Sequence, residues 1–111
     1  MVIIISSQGQ ELTSPIERRF GRCPWFIKFD TVAKTKEAFA NPGVHQSGGA
    51  GVAAAQFVID HNADVVISGD FGPNAVRAFQ SSNIKMYLIN GTARNVQDVI
   101  NHFLEGKLTS Y

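Results

Sequence analysis

Two glycine-rich stretches, Gly48–Gly51 (GGAG) and Ser68–Ala75 (SGDFGPNA), decide how this chain is organised. Each leads into a segment with the composition of a helix: an alanine-rich run, Val52–His61, and a run that opens at Pro73. Pro73 suits the first turn of a helix, because the N–H group that proline lacks is unpaired there. A helix N-terminus presents unpaired N–H groups and the positive end of the helix dipole. Each stretch therefore predicts a place that favours an anion.

The segments around these two stretches alternate between strand and helix patterns. Short apolar, β-branched or aromatic runs predict strands. The last helix shows an apolar stripe at helical spacing, with Asn95 as its cap and Gly106 after its end. The predicted elements are strands at Val2–Ser6, Trp25–Asp30, Thr31–Phe39, Asp64–Ser68 and Lys85–Ile89, and helices at Val52–His61, from Gly72-Pro73 to near Asn83, and along Val96, Val99, Ile100, Phe103 and Leu104.

The order β-β-β-α-β-α-β-α predicts a three-layer α/β domain of ribonuclease H-like type with a mixed, five-stranded sheet. The opening strands form a hairpin or meander. Thr31–Phe39 is polar enough to lie at an edge, and Lys34–Ala40 is also compatible with a short helix. Ligands of such sheets bind beyond the carboxyl ends of the parallel strands. We expect Gly69–Asn74 and Asn90–Asn95 there, with Pro42–Gly51 close by.

Length and composition restrict the class of protein. The 111 residues predict a single domain, residues 1–111, and 44% hydrophobic with 17% charged residues is typical of a globular protein. No apolar run is long enough to span a bilayer and no secretory signal is visible, so we expect a cytoplasmic protein with no membrane partner. The net charge of +1 does not favour nucleic acid as a partner. The single cysteine, Cys23, excludes an internal disulfide and fits a reducing compartment.

The sequence does not fit the enzyme classes that are common in this architecture. Gly49–Ala54 formally matches the dinucleotide pattern G-x-G-x-x-A, with Asp70 as the ribose-binding acid, but polar residues rather than a buried strand precede it. A two-metal nuclease needs converging carboxylates, and the first predicted strand has none. A G-x-S-x-G motif is also missing. We therefore predict no catalytic residues and a binding protein rather than an enzyme.

Arg22 is the first candidate for binding an anion. It follows Arg18 and Arg19 in the loop before the predicted strand Trp25–Asp30. Arginine offers rigid N–H donors to a carboxylate, a phosphate or the sulfides of an anionic cluster. The alternative is a solvated loop in which one arginine is tied to a backbone carbonyl.

Cys23 and His45 are the candidates for binding a metal. Arg22, next to Cys23, is expected to favour the thiolate, which is a soft metal ligand and a nucleophile. The alternative is that Cys23 is a small buried apolar residue. His45 lies in the glycine-rich loop and could supply one imidazole. His61, at a helix end, and His102, off the apolar stripe, are expected at the surface, and the spacing does not match a closed zinc site.

An ordered set of short motifs resembles a known family. The motifs are Ser14-Pro15, Phe20–Phe26 (FGRCPWF), Asn41-Pro42, Gly48–Gly51, Gly69 with Gly72–Ala75 (GPNA), and Phe103–Gly106 (FLEG). Over essentially the whole chain they resemble the dinitrogenase iron–molybdenum cofactor biosynthesis family of small NifX-like proteins. The resemblance implies a ribonuclease H-like fold and a carrier of iron–sulfur or molybdenum-containing cluster precursors. The family also includes stand-alone members of unassigned role, some linked to mixed-metal sulfide clusters.

The resemblance transfers to individual positions. Many members have a histidine where this chain has Arg19, and of a histidine-rich loop only His45 remains, which leaves open the binding of an anionic cluster through arginines and backbone amides. The implied cofactor-binding residues are Arg22, Cys23, Gly48, Gly49, Gly51, Gly72 and Asn74, and the implied metal ligands are Cys23 and His45.

The sequence thus predicts a non-catalytic carrier or scaffold for an anionic iron–sulfur or molybdenum–iron–sulfur cluster that is held transiently. Its partners would be the proteins that donate and accept the cluster. Two alternatives from other classes stay open. One is a binding or regulatory domain for a small phosphorylated or carboxylated ligand at the same loops. The other is a ligand-free interaction module in which the glycines are architectural.

Overall fold

A six-stranded mixed sheet forms the centre of the protein. The computed structural model describes all residues from 1 to 111. Its elements in chain order are β1 (Val2–Ser7), a 3-10 turn (Phe20–Arg22), β2 (Trp25–Asp30), β3 (Thr35–Ala40), α1 (Ala50–Asp60), β4 (Val65–Ser68), α2 (Pro73–Ser81), β5 (Lys85–Leu88), α3 (Val96–Leu104) and β6 (Thr109–Ser110). The strands lie in the order β3-β2-β1-β4-β5-β6; β4 is parallel to both β1 and β5, and the other pairs are antiparallel.

The predicted alternation of strands and helices is confirmed, but the prediction of five strands is wrong. The sixth strand, β6, adds two residues, Thr109 and Ser110, opposite Leu88 and Tyr87. A polar strand this short has no periodic pattern, and only the free edge of β5 makes it a strand. The alternative of a helix over Lys34–Ala40 is also wrong, because Lys34, at φ 60°, lies in the turn between β2 and β3.

Helices cover both faces of the sheet. α1 and α2 lie on one face, over Ile4, and α3 lies on the other, over Ile3 and Ile5. β1 is therefore buried on both faces, as its continuous apolar run predicts. Burying one such side chain contributes about 1.5–3 kcal/mol. The longest helix, α1, has 11 residues, and none has both the length and the apolar character needed to cross a bilayer.

The topology gathers the predicted loops at one edge of the sheet. β1, β4 and β5 end at this edge because they are parallel, and the antiparallel strand β2 begins there while β3 ends there. The loops 8–24, 41–49, 69–72 and 89–95, and the N-termini of all three helices, therefore lie together. We call this the carboxyl edge. The positions predicted for Gly69–Asn74 and Asn90–Asn95 are confirmed.

Candidate functional site

The N-terminus of α1 presents backbone N–H groups without partners. Gly49 precedes the helix in the left-handed conformation, at φ 74°, which favours glycine, and it offers no side-chain cap. The N–H groups of Ala50, Gly51 and Val52 donate to no acceptor in the protein. The first turn contains no acidic residue. This N-terminus therefore keeps the partial positive charge of the helix dipole.

The N-terminus of α2 has the same character. Gly72 precedes it without a side-chain cap, Pro73 occupies its first position, and its first turn has no acidic residue. The N–H groups of Asn74 and Ala75 find no acceptor in the protein. The Asn74 side chain accepts a hydrogen bond from the Arg77 guanidinium, which brings that cation to the first turn. Because α1 and α2 pack against each other on one face, two uncapped N-termini lie at the same edge.

Arg22, the candidate for binding an anion, lies next to the loop that contains Gly48–Gly51. Gly21 approaches α1 so closely that a Cβ there would lie 3.3 Å from the backbone nitrogen of Gly51. Arg22 Nη1 donates to the Gln46 carbonyl oxygen at 2.9 Å. The turn is anchored by Phe20, whose ring centroid lies 5.4 Å from those of three other phenylalanines, Phe26, Phe71 and Phe79. A backbone-tied arginine, named above as the alternative to anion binding, is thus present, although Arg22 remains exposed.

Asn41 joins the loop that carries Arg18, Arg19 and Arg22, which we call the arginine loop, to the loop that contains Gly48–Gly51. Its buried Nδ2 donates to the carbonyl oxygens of Gly21 and Cys23 at 3.2 and 2.9 Å. Its Oδ1 accepts from the Gly43 N–H at 2.9 Å. The sequence analysis used Asn41 only as part of a motif. Its signal was a polar side chain between a strand and a proline, where an asparagine satisfies loop backbone groups.

Cys23 belongs to the core rather than to the surface of the site. It is 0% exposed, and its thiol donates to the Phe20 carbonyl oxygen at 3.3 Å. Burial raises the pKa of Cys23 to about 12, because removal from water penalises the thiolate. The expected thiolate is therefore wrong. The structure supports the alternative, a small buried apolar residue held under the loop.

The three histidines lie on different parts of the chain and differ in burial. His45 is exposed in the loop 41–49. His61 follows α1, as expected, but it is half-buried against Phe39 and Phe57, with ring centroids 4.5 and 4.2 Å away. His102 is also half-buried, so neither histidine that was expected at the surface is fully exposed. No three side chains among His, Cys, Asp and Glu converge on a position that could hold a metal ion.

The segment Pro15–Arg19, which the sequence analysis named only through single residues, crosses the carboxyl edge. We call it the crossing segment. The buried hydroxyls of Ser6 and Ser68, at the ends of β1 and β4, lie 2.8 Å apart and donate to the carbonyl oxygens of Glu17 and Arg18. Arg19 pairs with Glu17 at 3.3 Å. The arginine loop is thus held onto the ends of two central strands.

The fold and the site define a small α/β domain in which the uncapped N-termini of α1 and α2 lie at one edge of the sheet. The chain belongs to the dinitrogenase iron–molybdenum cofactor family, whose model matches residues 1–106. The family resemblance predicted from the motifs is confirmed.

Individual relatives match nearly the whole chain. An uncharacterised protein from Methanocaldococcus jannaschii is 27% identical over 119 residues, covering 100% of this chain and 99% of that protein. The apo form of the orange protein from Desulfovibrio gigas superposes with a TM-score of 0.92 at 29% identity, over 99% of this chain and 92% of that one. A Thermotoga protein of the DUF35 family, solved by NMR, gives a TM-score of 0.85 at 28% identity, over 98% and 91%.

Proposed function

We propose that the protein is a non-catalytic carrier or scaffold for an anionic metal–sulfur cluster of the iron–sulfur or molybdenum–iron–sulfur type. One observation carries the proposal: the N-termini of α1 and α2, side by side at the carboxyl edge, leave backbone N–H groups unpaired and contain no acid in their first turns. Such N-termini attract anions. The match to a family named for the iron–molybdenum cofactor supports a metal–sulfur cluster as this anion.

The proposed binding residues divide by the group that they contribute. Glycine positions and Asn74 contribute backbone N–H groups, Arg22 contributes positive charge, and His45 contributes one exchangeable ligand from an exposed loop. Cys23 is left out, because a buried thiol with a raised pKa is neither reachable nor ionised near neutral pH. The set is Arg22, His45, Gly48, Gly49, Gly51, Gly72 and Asn74.

The charges at the carboxyl edge support an anionic ligand. Arg18, Arg22, Arg77 and Arg94 are exposed there, and only Arg19 forms an ion pair with a carboxylate. Arg22 and Arg77, which lie beside the N-termini of α1 and α2, add to the attraction of an anion. A carrier must also release its ligand. An open edge that offers amides, arginines and at most one metal ligand is consistent with transient binding.

Two further properties follow from the same proposal. We infer cytoplasmic donor and acceptor proteins for the cluster. Finally, we infer a ribonuclease H-like fold, with which an antiparallel β1-β2-β3 and a parallel β1-β4-β5 are consistent.

The test is anaerobic purification followed by a visible absorption spectrum and elemental analysis, on the wild type and on Gly72→Asp. Gly72 has extended backbone and open space for a side chain, so aspartate there caps α2 and stabilises the free protein by about 0.5–1 kcal/mol. The same carboxylate repels a bound anion. We expect iron or molybdenum with sulfide-to-metal absorption in the wild type, and its loss in a variant that melts at a higher temperature.

Gly91→Asp is the matched control. Gly91 also lies exposed at the carboxyl edge with open space around it, but it does not precede a helix. This control is expected to keep the absorption of the wild type. A wild type without metal that also takes up no supplied iron–sulfur or thiomolybdate cluster contradicts the carrier function. If phosphate then raises the melting temperature of the wild type and not of Gly72→Asp, the small organic or phosphorylated anion becomes the better assignment.

A further inference from the structure

Asn90-Gly91 is the one place in the chain where glycine follows asparagine. The pair lies in the loop 89–95, between β5 and α3, at the carboxyl edge. Asn90 is half-buried, whereas Gly91 is exposed and has open space where a Cβ would be. Glycine has no Cβ that could hinder the approach of its backbone nitrogen to a neighbouring group. The pair therefore places a side-chain amide carbon next to an unhindered nitrogen.

Three donors converge on the side-chain oxygen of Asn90. The Thr92 N–H and the Thr92 hydroxyl donate to Oδ1 at 3.1 and 2.8 Å. The Ala93 N–H, which also approaches the Asn90 carbonyl oxygen at 3.4 Å, donates to Oδ1 at 3.2 Å. These bonds fold the side chain back over the peptide bond that joins Asn90 to Gly91. Donors aimed at such an oxygen stabilise the negative charge that develops when a nucleophile attacks the carbonyl carbon.

The two nitrogen atoms of the pair are free of hydrogen bonds within the protein. The bonds of the Asn90 amide all go to Oδ1, and its Nδ2 is not enclosed away from water. The Gly91 N–H also finds no acceptor. An attack of the Gly91 nitrogen on Asn90 Cγ, with Nδ2 as the leaving group, therefore breaks no hydrogen bond of the fold.

We propose that Asn90 is a site of deamidation, with water as the co-reactant. The Gly91 nitrogen, deprotonated by hydroxide, attacks Asn90 Cγ and forms a C–N bond while Oδ1 takes the negative charge. The bond from Cγ to Nδ2 then breaks, and Nδ2 takes a proton from water and leaves as ammonia, which gives a succinimide ring. Water adds to either carbonyl carbon of this ring and opens it to aspartate or isoaspartate.

The isoaspartate product inserts one additional carbon into the backbone of the loop 89–95. The Arg94 carbonyl oxygen of this loop accepts from the Ile16 N–H at 3.4 Å, and Asn95 caps α3. A longer backbone displaces these two groups, so the modification loosens the N-terminus of α3. The reaction needs neither a bound cluster nor the N-termini of α1 and α2, and it is independent of the proposed function.

The test is incubation of the folded protein at mildly alkaline pH, followed by tryptic digestion and mass spectrometry. Cleavage after Arg77, Lys85 and Arg94 gives the peptide 86–94, whose single asparagine is Asn90, and the peptide 78–85, in which isoleucine follows Asn83. A sample digested before incubation corrects for conversion during digestion. We expect the peptide 86–94 from the folded protein to gain the mass of an NH2-to-OH exchange at least as fast as a synthetic peptide of the same sequence. The peptide 78–85 should stay unchanged.

Three variants test the chemistry of the loop. Gly91→Ala fits the open space and should slow the conversion by on the order of tenfold or more, because a Cβ hinders the attacking nitrogen. Thr92→Val removes one donor to Oδ1 and should slow it by about three- to tenfold, the range expected from one hydrogen bond. Thr92→Ser keeps the hydroxyl and should retain the rate of the wild type.

Two results overturn the proposal. One is a folded protein that stays unmodified at Asn90 while the synthetic peptide 86–94 converts, which would show that the loop protects the amide. The other is a faster conversion in Thr92→Val than in the wild type, which would mean that the hydroxyl holds Asn90 away from the Gly91 nitrogen. Thermal unfolding of each variant establishes that folded proteins are compared. The comparison of the wild type with the peptide needs no variant, so it decides the matter even where a substitution prevents folding.

Discussion

The N-terminus of α3 is closed, whereas those of α1 and α2, at the same edge of the sheet, are open. At α3, Val96 and Gln97 donate to carbonyl oxygens of the loop 8–24 at 3.1 and 2.9 Å. Asp98 donates its N–H to Asn95 Oδ1 at 2.8 Å, which confirms Asn95 as the cap. The three donors that a helix start leaves free are thus all satisfied. At α1 and α2 every corresponding donor lacks a partner.

This difference separates structural helix starts from candidate binding positions. α3 has a capping side chain, an acid in its first turn and a covering loop. α1 and α2 have glycine at the capping position and no acid. Replacing a good cap by glycine costs a few tenths of a kcal/mol, and the lack of an acid in the first turn costs a further ~0.3–1 kcal/mol. The two open N-termini are therefore less stable than the chain could make them, which is consistent with a place reserved for an external acceptor.

The largest effect is expected at Asn41, whose hydrogen bonds hold together the loops next to the uncapped N-terminus of α1. Asn41→Ala removes the donor to two loop carbonyls and leaves the buried Gly43 N–H without its acceptor. We expect a loss of about 2–4 kcal/mol in the free energy of unfolding, measured by urea denaturation. Asn101→Ala, on the exposed surface of α3, is the control and should change it by less than about 0.5 kcal/mol. Similar losses in both variants would show that Asn41 does not hold the loops.

The second prediction tests the closed and open N-termini directly. Asn95→Ala should destabilise the free protein by about 1–2 kcal/mol, because α3 loses its cap. Gly72→Ala at α2 should change stability by less than about 0.5 kcal/mol, because no side-chain cap is lost and the poorer capping by alanine is offset by the lower entropy of the unfolded chain. Thermal unfolding of the two variants measures the difference. Equal shifts would mean that the two N-termini do not differ energetically.

A third prediction concerns Cys23, whose thiol is buried in the core. The pKa of Cys23 is raised by burial to about 12, above its ordinary value of 9.0. Between these two values the unfolded chain releases a proton that the folded chain keeps, so stability falls as pH rises. The slope reaches about 1.4 kcal/mol per pH unit. Well below pH 9 the thiol is protonated in both states and contributes no pH dependence.

Urea denaturation at pH 8, 9 and 10 measures this slope, with Cys23→Ala as the reference that lacks the thiol. The wild type should lose about 1 kcal/mol more than the variant between pH 9 and pH 10. Parallel pH profiles for the two proteins would show that Cys23 ionises as easily in the fold as outside it, and the thiolate would then return as a candidate ligand.

The smallest effect is expected at Tyr111, which contacts the loop before α2. The Tyr111 ring meets Phe71 edge-on, with centroids 5.7 Å apart, and Phe71 immediately precedes Gly72. Tyr111→Ala should cost about 0.5–1.5 kcal/mol, the typical value of an aromatic pair. Tyr111→Phe keeps the ring and should match the wild type in thermal unfolding. A loss in Tyr111→Phe equal to that in Tyr111→Ala would assign the effect to the hydroxyl instead.

Most of the fold could be predicted because its signals are local. The apolar run of β1 and the stripe of α3 report burial within a few residues, and Pro73 marks the start of α2. β6 could not be predicted, since Thr109 and Ser110 form a strand only because β5 leaves an edge free. Part of the candidate site could also be predicted from local signals. The glycines mark the helix N-termini, but Asn41 and the crossing segment act through hydrogen bonds to residues that are distant in sequence.

The sequence alone determined the family, the order of the first five strands and the three helices, and the two uncapped helix N-termini, because motif order, hydrophobic periodicity and the absence of a capping side chain are properties of neighbouring residues. Only the tertiary structure decided which candidates reach the surface. Cys23 and Arg22 are adjacent in the chain, yet the thiol is enclosed by the core while the guanidinium lies outside on the Gln46 carbonyl oxygen. Burial and pKa depend on what the rest of the chain places around a group, and adjacency in sequence does not report it.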